Sequence, residues 1–169
     1  MIYPVVKYGQ KVLEMPAEPV TVFDGDLEKL VADMFETMYA ANGVGLAGPQ
    51  IGISKRLCVI DVTSGEDPKS KLVLVNPVIV TTEGKIVQDE GCLSLPDFRA
   101  GTARPERATV RAQDVHGEEF EMIGEGLLAR AFCHETDHLD GTLFIQHLSM
   151  LKRDSIKRKI KKLMKAGEW

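Results

Sequence analysis

The segment His134-Glu135-Thr136-Asp137-His138 constrains this chain more than any other, because it sets two imidazoles four residues apart within a helical pattern. Leu127 to Leu139 carries that pattern between Gly126 and Gly141, residues of the kind that punctuate helices. Four residues is slightly more than one turn, so both rings leave the same face, one above the other. Leu127 and Ala131 extend the stripe toward the N-terminus. The face carrying the histidines is thus otherwise apolar and is expected to look into the protein. Glu135 lies ~100° further round the helix, where a general base belongs rather than a further ligand. The competing reading is a solvated helix with two chance histidines. It fares poorly, because only four histidines exist and two fall in register on an apolar stripe.

A catalytic site of this type takes three protein ligands and keeps one position open. Downstream of His138 no third ligand offers itself: Phe144 occupies the place of the third histidine of the extended histidine motif, and the only later glutamate is Glu168, in a basic tail. Upstream, Cys58, Cys92 and His116 compete. Cys58 sits in a strand-like apolar run, where a buried inert thiol is the simpler reading. His116 sits in the turn Asp114-Val115-His116-Gly117, as a solvated loop residue would. Cys92 lies in Glu90-Gly91-Cys92-Leu93-Ser94-Leu95-Pro96, which reads as a shaped loop presenting a thiolate, and beside an incomplete histidine pair it is the favoured third ligand. Cys133 points about a quarter-turn off the ligand face and reads as packing. His147 has no partner in spacing and reads as a surface or capping residue.

The remainder of the chain reads as an α+β fold. Leu27, Leu30, Val31, Met34, Phe35, Met38 and Tyr39 follow helical spacing behind Asp24 or Asp26 as N-cap, with Gly43 as the stop. Short β-branched runs follow at Leu57–Val62, Lys71–Val80, Ala108–Val115 and Glu118–Ile123, the last two joined across His116-Gly117. We expect mostly antiparallel strands packed around the central helix that carries the histidines, a C-terminal helix over residues 150–164, and a single domain spanning 1–169. The apolar runs are strand-sized, far below the ~20 residues a bilayer requires, so no membrane role is expected. Lys7, Lys11 and Pro4 break the opening segment as a signal peptide core. Three cysteines without an export signal fit thiols or ligands in a reducing cytoplasm. The net charge of −4 hides an asymmetry: residues 150–169 hold eight Lys/Arg against two acids, a +6 tail on a −10 remainder. In that tail Ile156, Ile160, Leu163 and Met164 form one apolar stripe, so the helix can pack on the core while a basic face stays solvated.

Together with Gly43-Val44-Gly45-Leu46-Ala47-Gly48-Pro49-Gln50, the segments 90–96 and 134–138 resemble the three signatures of the peptide deformylases, in order and at similar distances. The resemblance covers essentially the whole chain and implies a metal-dependent hydrolase that removes the formyl group from the N-terminal formyl-methionine of newly made proteins. It implies that Cys92, His134 and His138 hold one divalent metal ion, Fe(II) in the usual case, with Zn, Ni or Co as substitutes. Glu135 would move the proton, while Gln50 and the backbone amide of Leu93 would donate to the oxyanion. Gly45 and Gly91 would lie against the bound peptide, Val44 and Leu127 would line the methionine pocket, and Gly43 belongs to the same binding segment. The implied partners are formyl-methionyl nascent chains and, through the basic C-terminal helix, the ribosome. Two positions depart from the family pattern: Gly48 stands where a second alanine is common, and Cys133 where glutamine often precedes the first histidine. The glycine adds backbone freedom to the segment that carries Gln50.

Overall fold

Asp24 starts the first helix: its carboxylate accepts the Leu27 N–H at 3.1 Å, and α1 (Gly25–Ala40) follows in the computed structural model, which describes residues 1–169. The residue that ends α1 in the left-handed region is Asn42, at φ 57°, rather than Gly43. Gly43 continues the turn by donating its N–H to the Met38 carbonyl at 3.0 Å.

Seven strands come next: β1 (Gly45–Ala47), β2 (Leu57–Ile60), β3 (Leu72–Glu83), β4 (Ile86–Cys92), β5 (Leu95–Arg104), β6 (Arg107–Gln113) and β7 (Glu119–Glu125). All pairings are antiparallel; five strands form one sheet in the order β1-β2-β3-β6-β7, and β4-β5 is a separate hairpin. Within β3, Asn76 takes φ 51° and the register slips between Val75 and Val78. That bulge accommodates Pro77, which has no N–H for a ladder. The Asn76 amide secures it, bonding to both Val20 backbone groups at 2.8 Å and to Gln113 at 2.7 Å.

Two helices close the chain, α2 (Leu127–Leu139) and α3 (Met150–Lys165). The sheet lies between α1 and α2, and β2 explains how. Its four residues are all buried; Cys58 and Ile60 join the core built with Ala129, Phe132 and Leu139 of α2, while Leu57 and Val59 join the core built with Leu30, Met34 and Met38 of α1. Alternating side chains thus feed two opposite cores. A third core joins Ile156 and Ile160 of α3 to Leu95 of β5, Phe144 and Leu148. The C-terminal helix therefore packs behind the β4-β5 hairpin, and its Lys157, Arg158, Lys161 and Lys162 remain exposed.

One sequence expectation is extended and one changes. Beyond Gly43, which the sequence marks only as the helix stop, the run 43–50 continues as β1 and then a 3-10 turn over Gly48–Ile51. Cys92 is not on a loop: it ends β4, beside a register shift between Gly91 and Cys92.

Candidate metal centre

Helix α2 holds His138 fully buried and His134 nearly so, their ring centroids 4.9 Å apart. Strand β4 brings Cys92 to them: its Sγ lies 3.2 Å from Nε2 of His138, and the three ligand atoms fall within 4.8 Å of one another. In a tetrahedral site with metal–ligand bonds of about 2.0–2.3 Å, neighbouring donors sit roughly 3.3–3.6 Å apart. The spacing and the donor set, one thiolate sulfur and two imidazole nitrogens, fit a divalent transition metal. His116, the rival candidate, is exposed, lies 3.7 Å from Glu28 and is not part of this group. Cys58 is fully buried in β2, its thiol pushed well up by burial and by the charge of Glu135.

Behind His134 stands a carboxylate that sequence reading passed over. Glu90 Oε2 meets Nδ1 of His134 at 2.7 Å. Its two oxygens also accept from Arg104 at 3.0 and 2.7 Å and from Arg130 at 2.8 Å. Burial opposes the charge of Glu90, but His134 and Arg104 outweigh it and hold the carboxyl far below the usual range. The arrangement fixes the ring so that Nε2 faces the cleft, as an outer partner of a metal-ligating histidine does. Arg104 continues to Asp137 at 2.7 Å, and Asp137 meets His147 at 2.8 Å, so His147 is a surface residue with a partner that spacing did not reveal. No polar group orients His138 in this way: its Nδ1 is buried and unpartnered. Burial, and after it the neighbouring His134, push the His138 imidazole well below its ordinary value. We expect Glu90→Gln to weaken metal affinity about 10–100-fold, read by chelator competition on the folded variant; wild-type affinity would detach Glu90 from the metal centre.

Glu135 lies beside the ligands, 97% buried, with Oε2 3.9 Å from Nε2 of His134 and Oε1 lacking any partner. Burial pushes its carboxyl up to about 7, with His134 opposing. Gly45 is what admits it: a Cβ there would stand 2.5 Å from Oε2 of Glu135. The segment bearing Gly45 is anchored from behind by Asp61, which donates its N–H to the Val44 carbonyl at 2.9 Å and accepts from Tyr39 Oη at 2.6 Å.

These groups open into a cleft of about 740 Å³, whose lining includes Gly43, Val44, Gly45, Gln50, Gly91, Cys92, Leu93, Leu127, His134 and Glu135. Of the eleven residues that the resemblance assigned to the site, only His138 is absent from that lining, buried beneath Cys92 and His134. A second groove of about 840 Å³ runs between residues 5–12 and Trp169 but carries none of the motif residues. Gln50 is buried, and its orientation is set by the Ala47 N–H, which donates to Oε1 at 3.0 Å. Nε2 is thereby turned to Cys92 and Ser94. Gly48 does not loosen this segment. A Cβ at that position would stand 2.6 and 2.8 Å from the carbonyl oxygens of Lys55 and Ile53, so the glycine permits a close backbone approach. Cys133 packs as expected, buried, with its thiol pushed up to about 11 by desolvation.

Comparison with known proteins agrees with this geometry. A family model described as polypeptide deformylase matches residues 2–154. The peptide deformylase of Acidobacterium capsulatum is 60% identical over 169 residues, covering 100% of this chain and 99% of its own. That of Thermodesulfovibrio yellowstonii is 49% identical over 160 residues, 95% of this chain and 97% of its own. The crystal structure of a peptide deformylase from Legionella pneumophila superposes with a TM-score of 0.91 at 46% identity, covering 99% of this chain and 98% of that one. With the fold, the motifs and the whole length in agreement, the chain belongs to the polypeptide deformylase family, metal-dependent hydrolases that take the N-formyl group from newly synthesised proteins.

Proposed function

We propose that Cys92, His134 and His138 hold one divalent ion, Fe(II) in the cell with Zn, Ni or Co as substitutes, and that Glu135 is the proton carrier for hydrolysis of the formyl group. The observation that carries this reading is the meeting of one thiol and two imidazoles within 4.8 Å, beside a buried carboxylate with a free oxygen. With those residues holding it, the ion would supply Lewis-acid chemistry, polarising a carbonyl oxygen and acidifying water. Glu135 then takes a proton from the attacking water at its carboxylate and returns it to the departing methionine amine, releasing formate. A buried carboxylate with one oxygen free of any partner suits both directions of transfer. Gln50 Nε2 and the Leu93 backbone N–H donate to the oxygen that gains charge in the transition state. Gly43, Gly45 and Gly91 receive the peptide backbone, and Val44 with Leu127 receives the methionine side chain. Leu127 is half exposed at the cleft, which suits a wall completed by substrate.

Chelation is expected to abolish formate release from a formyl-methionyl peptide, and anaerobic Fe(II) to restore it more fully than Zn, Ni or Co. Full turnover by metal-free protein would sink the reading.

The substrate, a chain emerging from the ribosome, argues for work in the cytoplasm, and the exposed basic face of α3 suits docking on ribosomal RNA. No helix is long and apolar enough to cross a membrane. Association with ribosomes is expected to weaken steeply as salt rises and after charge reversal at Lys157, Arg158 and Lys161. Salt-insensitive association would rule the docking out. Charge reversal is preferable to truncation, because Ile156 and Ile160 help to hold the hairpin that carries Cys92.

A further inference from the structure

The two groups assigned to the oxyanion come from unconnected parts of the fold. Gln50 is on the 3-10 turn after β1, and Leu93 is on the two-residue turn between β4 and β5. To act on one oxygen they must hold a fixed separation, and a link between the turns is needed. Ser94 supplies it. Its side chain is fully buried, and its Oγ accepts from Gln50 Nε2 at 3.2 Å. Its own carbonyl accepts from the Tyr8 N–H at 2.8 Å, so the hairpin turn is itself fastened to the N-terminal segment. That same segment reaches the other turn, because Val6 N–H donates to the Gln50 carbonyl at 2.7 Å.

The Gln50 carboxamide has three hydrogen-bonding directions in use. Oε1 takes the Ala47 N–H at 3.0 Å, which fixes which end of the amide faces the cleft. One Nε2 hydrogen goes to Ser94, and the other points at Cys92 Sγ, 3.6 Å away. Cysteine sulfur is a weaker acceptor than a hydroxyl oxygen, so this second hydrogen is the one free to turn to a substrate oxygen, while the bond to Ser94 keeps the amide plane in place.

We propose that Ser94 is a positioning residue for the reaction, its hydroxyl locking the Gln50 carboxamide to the Leu93 turn so that both donors address one oxygen. The proposal rests on the assignment of Gln50 and Leu93 as oxyanion donors. Removal of one such donor typically costs ~10²–10³-fold in turnover. Loss of its aim alone is expected to cost part of that, about 10–100-fold.

The test is a double-mutant cycle on the metal-loaded enzyme with Ser94→Ala and Gln50→Ala, with metal content and thermal midpoint measured on each preparation. Ser94→Ala is expected to lower kcat about 10–100-fold with KM and metal stoichiometry little changed, yet to add almost nothing in the Gln50→Ala background. In the zinc-loaded protein, the Gln50 side-chain amide protons are expected to lose protection from solvent exchange in Ser94→Ala. Ser94→Thr, which keeps the hydroxyl, is expected to recover turnover relative to Ser94→Ala. An equal loss from Ser94→Ala in both backgrounds, or wild-type kcat in Ser94→Ala, overturns the positioning role while leaving the donor assignment intact. Wild-type kcat in Gln50→Ala overturns the donor assignment, and the proposal falls with it.

Discussion

Glu135→Gln lowers formate release by ~10²-fold or more while metal content and fold stay close to wild type. The magnitude is the usual worth of a positioned general base, and the substitution keeps side-chain size in a site that is 97% buried. Glu135 Oε1 has no partner and Oε2 stands 3.9 Å from His134, so the amide displaces no hydrogen bond that holds the helix. Peptide binding is expected to persist, because the cleft wall at Gly43 to Gly45, Gln50 and Leu93 is untouched. Turnover, bound metal and peptide affinity on one preparation separate the possible roles. Loss of metal would make Glu135 a ligand, and near-normal turnover at full occupancy would remove it from the chemistry.

Cys92→Ser is expected to remove most of the bound metal, and activity with it. A neutral hydroxyl replaces a thiolate, leaving two imidazoles to hold the ion. The fold is expected to survive, because Cys92 is only partly buried at the end of β4 and the hairpin is anchored by Leu95 in the core with Ile156 and Ile160. Metal content by elemental analysis and the thermal midpoint, measured together, decide between loss of a ligand and loss of structure. Retention of one metal per chain with normal turnover would leave the third ligand unassigned.

Local periodicity accounts for what could be read from the sequence. The helices α1, α2 and α3 and the strands β2, β3, β6 and β7 have apolar patterns that packing reinforces, and each was expected within a few residues. The β4-β5 hairpin has no such pattern: Gln88, Asp89 and Glu90 run together in β4, and Gly101 interrupts β5. Beside Leu95, its inward residues bury charge, Glu90 against Arg104 and Arg130, so hydrophobic periodicity registers it poorly. One signal was available. Arg130 stands four residues before His134 on the same helix, and a charged side chain next to a buried ligand stripe calls for a carboxylate partner. The two histidines were legible from spacing alone, whereas Cys92 was reached by elimination and by resemblance. Its neighbour Ser94 carried no signal, because a hydroxyl matched to Gln50 across 44 residues leaves no trace in either segment.

The most direct test of the metal centre is X-ray absorption at the metal edge of the zinc-loaded protein. The expected first shell contains one sulfur at about 2.3 Å and two imidazole nitrogens at about 2.0–2.1 Å, with a light atom completing four-coordination. In Cys92→Ser, any zinc that remains is expected to lose the sulfur. A wild-type shell of nitrogen and oxygen alone, with no sulfur, would contradict the assignment of Cys92, His134 and His138 as the ligands.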